Sequence, residues 1–191
     1  METALIWAIG AGVGLASLAG NRAFAPLAVF ILMARMDWLP WFGVEESPLD
    51  FIFSDVAVVI LLLLVVLEVI MTRLTLLMLV ERLLRLPFAL VSGALLCGAA
   101  VAHEAPGWGY IAGIAGGALL AALGYYVHSG IVIAGEGRDP GPALDLAVLV
   151  LAATILLLPQ AGYAYLLAIF WLSIRVRRLK RLKYKGLRVL A

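Results

Sequence analysis

The chain has 191 residues, 65% of them apolar, a formal net charge of +2 and a mean hydropathy of +1.10. A soluble globular domain is roughly 45 to 50% apolar, so this composition excludes a water-soluble fold and points to an integral membrane protein. The single Cys97 sits in the apolar run FALVSGALLCGAAVA, which excludes an internal disulfide or a multi-cysteine metal cage and leaves a packing role.

No polar linker is long enough to separate two soluble domains, and the expected organisation is one transmembrane domain over 1–174 followed by a basic tail over 175–191. Glu2 is the only early charge, and a signal peptide needs basic residues there, so the first segment is expected to stay attached. The stretch 3–34 is apolar except for Asn21 and Arg22. As one straight helix it would measure about 48 Å, well beyond a hydrocarbon core of about 30 Å. A break at Gly20-Asn21-Arg22 is therefore expected, making a hairpin of two short helices. Gly20 suits a helix end through its tolerance of positive φ, Asn21 can close the turn, and Pro26 fits the start of a second helix. Arg22 then either snorkels to the head groups or pairs with an acid such as Glu68.

The next segment, DWLPWFGVEESPLD, carries Asp37, Glu45, Glu46 and Asp50, whereas the stretch 73–87 carries Arg73, Arg82 and Arg85 against Glu81. The positive-inside rule puts the first outside and the second inside. Between them Asp55–Arg73 is a good span with Glu68 near its cytoplasmic end, and Phe88–Ala102 is a short return crossing. The stretch 110–135 is again overlong, with a break expected at His128-Ser129-Gly130; a hairpin there keeps the acidic EGRDPGPALD outside. The stretch 143–174 can break at Pro159-Gln160 and delivers the tail to the cytoplasm. That tail, RVRRLKRLKYKGLRVLA, holds eight of the 14 Lys and Arg and none of the 12 acids, leaving the rest of the chain at −6. The expected fold is an all-α integral membrane bundle of about three full transmembrane helices plus two broken or re-entrant hairpins, roughly five to seven membrane segments. The alternative has single crossings at 3–34 and 110–135 and a further crossing within 143–174.

Two pairs of segments look alike, GVGLASLAGNRAFAPLAVF beside GALLAALGYYVHSGIVIAG and SDVAVVILLLLVV beside LDLAVLVLAATIL. Their offsets differ, so they fit either an internal repeat or the shared vocabulary of membrane helices. The order of AGNRAFAPL, RLPFALVSGALL and ALLAALGYYVHSG ahead of a final helix and basic tail resembles the uncharacterised bacterial membrane family called domain of unknown function 4126, over nearly the full length. Members of that family usually place Ala-Asp-Lys-x-Pro after the Glu of the second segment, where this chain has VIMTR after Glu68. They tend to place Lys and Arg after the His, where this chain has Ser129-Gly130-Ile131. The resemblance implies an architecture and no activity.

Polar and ionisable groups at membrane depth are functional candidates by default, and here they are Asn21, Arg22, Glu68 and His128. Each also has a structural reading: Glu68 can reach the interface near Arg73, His128 can be a hydrogen-bonded turn residue, and Arg22 can satisfy carbonyls freed by the break. The small residues of IGAGVGLASLAG and GYIAGIAGGALLAALG suit close helix packing inside the bundle, while the Leu and Val of 58–67 suit lipid. In the tail, Arg175, Arg177, Arg178, Lys180, Arg181, Lys183 and Lys185 are expected to contact anionic head groups. Nucleic acid is not an expected partner, because no aromatic platform accompanies the bases. There is no Ser-His-Asp set, no His and carboxylate pair at metal spacing and no phosphate loop, GAGVG lacking a preceding strand. No enzyme activity, metal or cofactor is expected. Two function classes remain: a non-catalytic subunit packing against other membrane chains, placed slightly ahead, and a transporter or channel-like protein passing an ion, small polar solute or lipid through the broken helices.

Overall fold

The computed structural model describes residues 2–42, 49–73, 78–102, 104–105, 107–134 and 141–188, with side chains for 3–42, 49–72, 83–102, 104–105, 107–132 and 141–178. Glu45, Glu46, most of EGRDPG, and the side chains of Arg73, Glu81, Arg82, Lys180, Arg181, Lys183 and Lys185 lie outside the described residues. Among the described residues the chain is all-helical, without strands: α1 (Glu2–Ala19), α2 (Ala25–Arg35), α3 (Asp55–Arg73), α4 (Met78–Ala102), α5 (Trp108–Ala134), α6 (Pro142–Leu157) and α7 (Gln160–Arg188), with a short 3-10 turn at Asp50–Phe53. Among the described residues, three spans are long and apolar enough to cross a membrane, Asp55–Thr72, Leu83–Ala102 and Trp108–Val132.

Contacts along the helices set their directions. Gly12 of α1 meets Cys97 and Ala100 of α4, and Ala16 lies by Gly93, so these two helices are antiparallel. α4 and α5 are antiparallel too, since Gly98 meets Ile114 and Gly93 meets Ala121. α2 runs back from the end of α1 and lies parallel to α6: Arg22 meets Asp145 at one end, and the Trp41 indole donates to the Leu156 carbonyl at the other. α3 is antiparallel to α2, with Glu68 at Ala23 and Asp55 at Arg35. Finally, α7 begins beside α1, where the Tyr163 hydroxyl donates to the Ile6 carbonyl, and later meets Gly130 of α5 through Val176. Two hairpins thus point in opposite directions, α1–α2 with its tip at 20–24 and α6–α7 with its tip at Leu158-Pro159.

Each turn has a local cause. Pro26 opens α2, behind an N-cap at Phe24 whose own side chain makes no capping hydrogen bond. It closes in a Schellman arrangement, Trp38 N donating to Met33 O and Asp37 N to Ala34 O, with Asp37 at φ 54°. At the second tip, Pro159 cannot supply an amide to α6 and holds the preceding Leu158 out of the helix at φ −128°, ψ 80°.

Four expectations change. The break at His128-Ser129-Gly130 does not occur, because α5 is continuous to Ala134. As a consequence the end of α5 and the start of α6, which flank EGRDPG, lie at the same end of the bundle as the tail and opposite the 37–54 loop. Gly20 has no positive φ; among the described residues the positive-φ glycines are Gly107 and Gly141. Its lack of a side chain instead admits the α5 backbone at Ala121, Gly124 and Tyr125. α4 begins ten residues before Phe88 and carries Pro87 inside it, because the basic residues ahead of Pro87 are as helical as the apolar ones behind. The likeness of the first segment pair does not extend to shape, one being broken and the other continuous.

Small residues bring α1, α4 and α5 into backbone contact, and Leu15, Ala16, Leu18, Ala89, Leu96 and Ala121 are fully buried among them. Cys97 is buried against Gly12, Gly113 and Gly117, which agrees with a packing role. In α3, by contrast, Val59, Ile60, Leu63 and Val66 are all exposed. Trp7, Trp38 and Trp108 are exposed at the end that carries the 37–54 loop, as an interfacial aromatic belt requires. At the other end Arg175 stacks over Trp171 at 5.1 Å.

Candidate functional site

The break between α1 and α2 leaves backbone groups that no helix satisfies, and burial makes each of them costly unless it finds a partner. Five other helices send polar side chains to it. Asn21 and Tyr165 of α7 meet through Nδ2 and the phenol oxygen at 2.8 Å. Arg22, only 2% exposed, is ion-paired through Nε with Asp145 Oδ1 of α6 at 2.5 Å. The carboxylate of Glu68 on α3 accepts from the Ala23 amide at 2.7 Å and the Phe24 amide at 3.1 Å. Arg85 of α4 donates from Nη2 to the Asn21 carbonyl at 2.9 Å, and its Nη1 lies 2.6 Å from Nε2 of His128 on α5. A guanidinium cannot accept, so Nε2 supplies the lone pair.

Glu68 therefore caps α2 from another helix. Its negative charge sits at the positive end of the α2 dipole and takes amides that would otherwise be orphaned. Two guanidiniums, Arg22 and Arg85, face two carboxylates, Glu68 and Asp145, so the described charges balance. At 1.5 Å per residue, Glu68, Arg85, His128 and Asp145 lie about 5 to 10 Å from the tail-side ends of their helices. The Oδ1 of Asn21 and the Oγ of Ser92 are buried without a hydrogen-bond partner. A recess of about 30 Å³ adjoins Glu68, walled mainly by Phe24, Leu64, Leu67, Met71, Leu84 and Phe88, with Arg85 at its edge.

All four residues singled out in the sequence meet here, with different partners from those expected. Arg22 pairs with Asp145, not Glu68; Glu68 turns to the α2 amides; and His128 lies within a helix, 2% exposed, not at a turn. Arg85, Asp145 and Tyr165 were missed. The signal for Asp145 was its position in the first turn of an apolar run, the same position Asp55 holds in α3. Arg85 was counted only as an inside charge, and nothing in the sequence marked Tyr165.

The model of the family described as Domain of unknown function (DUF4126) matches residues 9–179. The chain belongs to that family. Every residue of the cluster in this DUF4126 member, from Asn21 to Tyr165, falls inside the matched span. No curated protein and no solved structure matches the chain.

Proposed function

We propose that this DUF4126 protein binds an ion or small polar solute at the α1–α2 break and passes it through the bundle. The observation that carries this reading is the convergence of Asn21, Arg22, Glu68, Arg85, His128, Asp145 and Tyr165 from five helices and the break onto one partly buried site. Charged groups at membrane depth are costly and mark ion pathways, and broken helices expose the backbone groups that transporters use to hold their cargo. In this reading α1–α2 is a re-entrant hairpin and the protein sits in a bacterial cytoplasmic membrane with its C-terminus in the cytoplasm. The density of bases after Trp171 supports that orientation. The test is flux: liposomes carrying the full chain should take up one of a panel of inorganic ions and small zwitterions faster than empty ones, and Asp145→Asn should abolish it. Absence of flux for the whole panel would overturn the reading.

The second reading, an accessory subunit without catalysis, is favoured by α3, whose exposed apolar faces suit a neighbouring chain as well as lipid. Stoichiometric partner chains in a mild purification would support it. Under either reading the tail binds anionic head groups. Replacing Lys180, Arg181, Lys183 and Lys185 by Gln should weaken its partitioning to anionic vesicles by about 1 kcal/mol per charge; unchanged partitioning would remove that role.

A further inference from the structure

The two acids of the cluster are held in different ways. Asp145 is the ion-pair partner of Arg22, which is 2% exposed, so a proton on Asp145 would strip a buried guanidinium of its counter-charge. Glu68 takes its hydrogen bonds from two uncharged amides, and a proton there strands no cation in a direct pair. Glu68 also adjoins the recess between α3 and α4 and lies five residues from the tail-side end of α3 at Arg73. What Glu68 holds is mechanically important, since its two amides belong to the tip of a hairpin whose second arm, α2, is only 11 residues long.

We propose that Glu68 is a proton-binding site and that its protonation releases the N-terminus of α2 and loosens the hairpin. This rests on the transport reading and makes the proton the transported or coupled ion. The proton comes from bulk water at the tail-side end of the bundle and adds to a carboxylate oxygen. The neutral acid keeps one good acceptor, so one of the Ala23 and Phe24 amides loses its bond and the helix dipole loses its anion. The charged and titratable groups around Glu68 are Arg22 from the break, Arg85 from α4, His128 from α5, Asp145 from α6 and Tyr165 from α7. Protonation leaves this set with one positive charge in excess, so the cluster has two electrostatic states.

The experiment is hydrogen exchange of the peptide spanning 20–27 in full-length protein in liposomes, corrected for the intrinsic pH dependence of exchange. Between about pH 8 and about pH 5, protection should fall by about tenfold, the equivalent of one lost charge-assisted hydrogen bond. Glu68→Gln, which cannot titrate, should exchange at one rate across the range. If that variant does not fold, infrared spectra of the wild type replace it: acidification should raise a protonated-carboxyl band that carbon-13 glutamate shifts and carbon-13 aspartate does not. Protection independent of pH, a pH response that survives in Glu68→Gln, or a band that follows aspartate would each overturn the proposal. Loss of protection without flux would remove the transport reading and leave the proton site; flux with pH-independent protection would do the reverse.

Discussion

α1 and α5 are both rich in Gly and Ala, both overlong when read with the residues after them, and both punctuated near the end by polar residues and glycine, yet one breaks and the other does not. At Gly20-Asn21-Arg22 the helix stops because its freed groups are taken by other helices and Pro26 starts a new one. At His128-Ser129-Gly130 the helix runs on unbroken. The Ser129 hydroxyl donates back to the Tyr126 carbonyl within the helix, His128 points its ring to Arg85, and Gly130 makes room for Val176. The difference lies less in the residues at the two sites than in what surrounds them: a break needs partners for the backbone it exposes, and α1 has them in Glu68 and Arg85.

The largest expected effect comes from removing a partner at the break. Arg22→Leu leaves the partly buried carboxylate of Asp145 without this cation and should cost about 2 to 4 kcal/mol of stability, somewhat less than a fully buried pair, read from thermal unfolding in detergent. Arg22→Lys should recover part of the loss, because a charge returns without the fork of donors. If Arg22→Leu unfolds within about 0.5 kcal/mol of wild type, as an exposed surface substitution does, the buried pair does not hold the hairpin.

The next effect tests the contact between the two helices. A Cβ at Gly124 of α5 would be driven into the Ser17 carbonyl of α1, so Gly124→Ala should destabilise by about 1 to 3 kcal/mol. Gly116, eight residues earlier on the same helix, has open space where a methyl group would sit, with nothing within 4 Å. Gly116→Ala should therefore be neutral or stabilise by up to about 1 kcal/mol through helix propensity. Equal effects at the two glycines would contradict the packing of α1 on α5.

The helix classes, the first break and the placement of the tail opposite the 37–54 loop were legible in the sequence, because span length and charge asymmetry act locally along the chain. Gly20 was recognised as a terminus for the wrong reason, since helix crossing and not backbone angle decides its identity. The continuity of α5 was not legible: a Ser that bonds to its own helix and one that caps a turn look the same in one dimension. Asn21, Arg22, Glu68 and His128 were visible as polar residues in apolar runs, but the pairing of Arg22 with Asp145 spans 123 residues, and no local pattern reports such a contact.

The polar cluster exists only if α1 and α2 fold back on one another. Spin labels at Thr3→Cys and Met36→Cys, both exposed positions, on a Cys97→Ala background would measure this directly in the full chain. Antiparallel arms put the two labels on the same end of the bundle, at a distance below about 25 Å given helix packing at about 8 to 10 Å and the unequal arm lengths. A separation near about 50 Å, the length of about 33 residues in one continuous helix, would mean that the segment crosses once and that no hairpin tip exists for the cluster to hold.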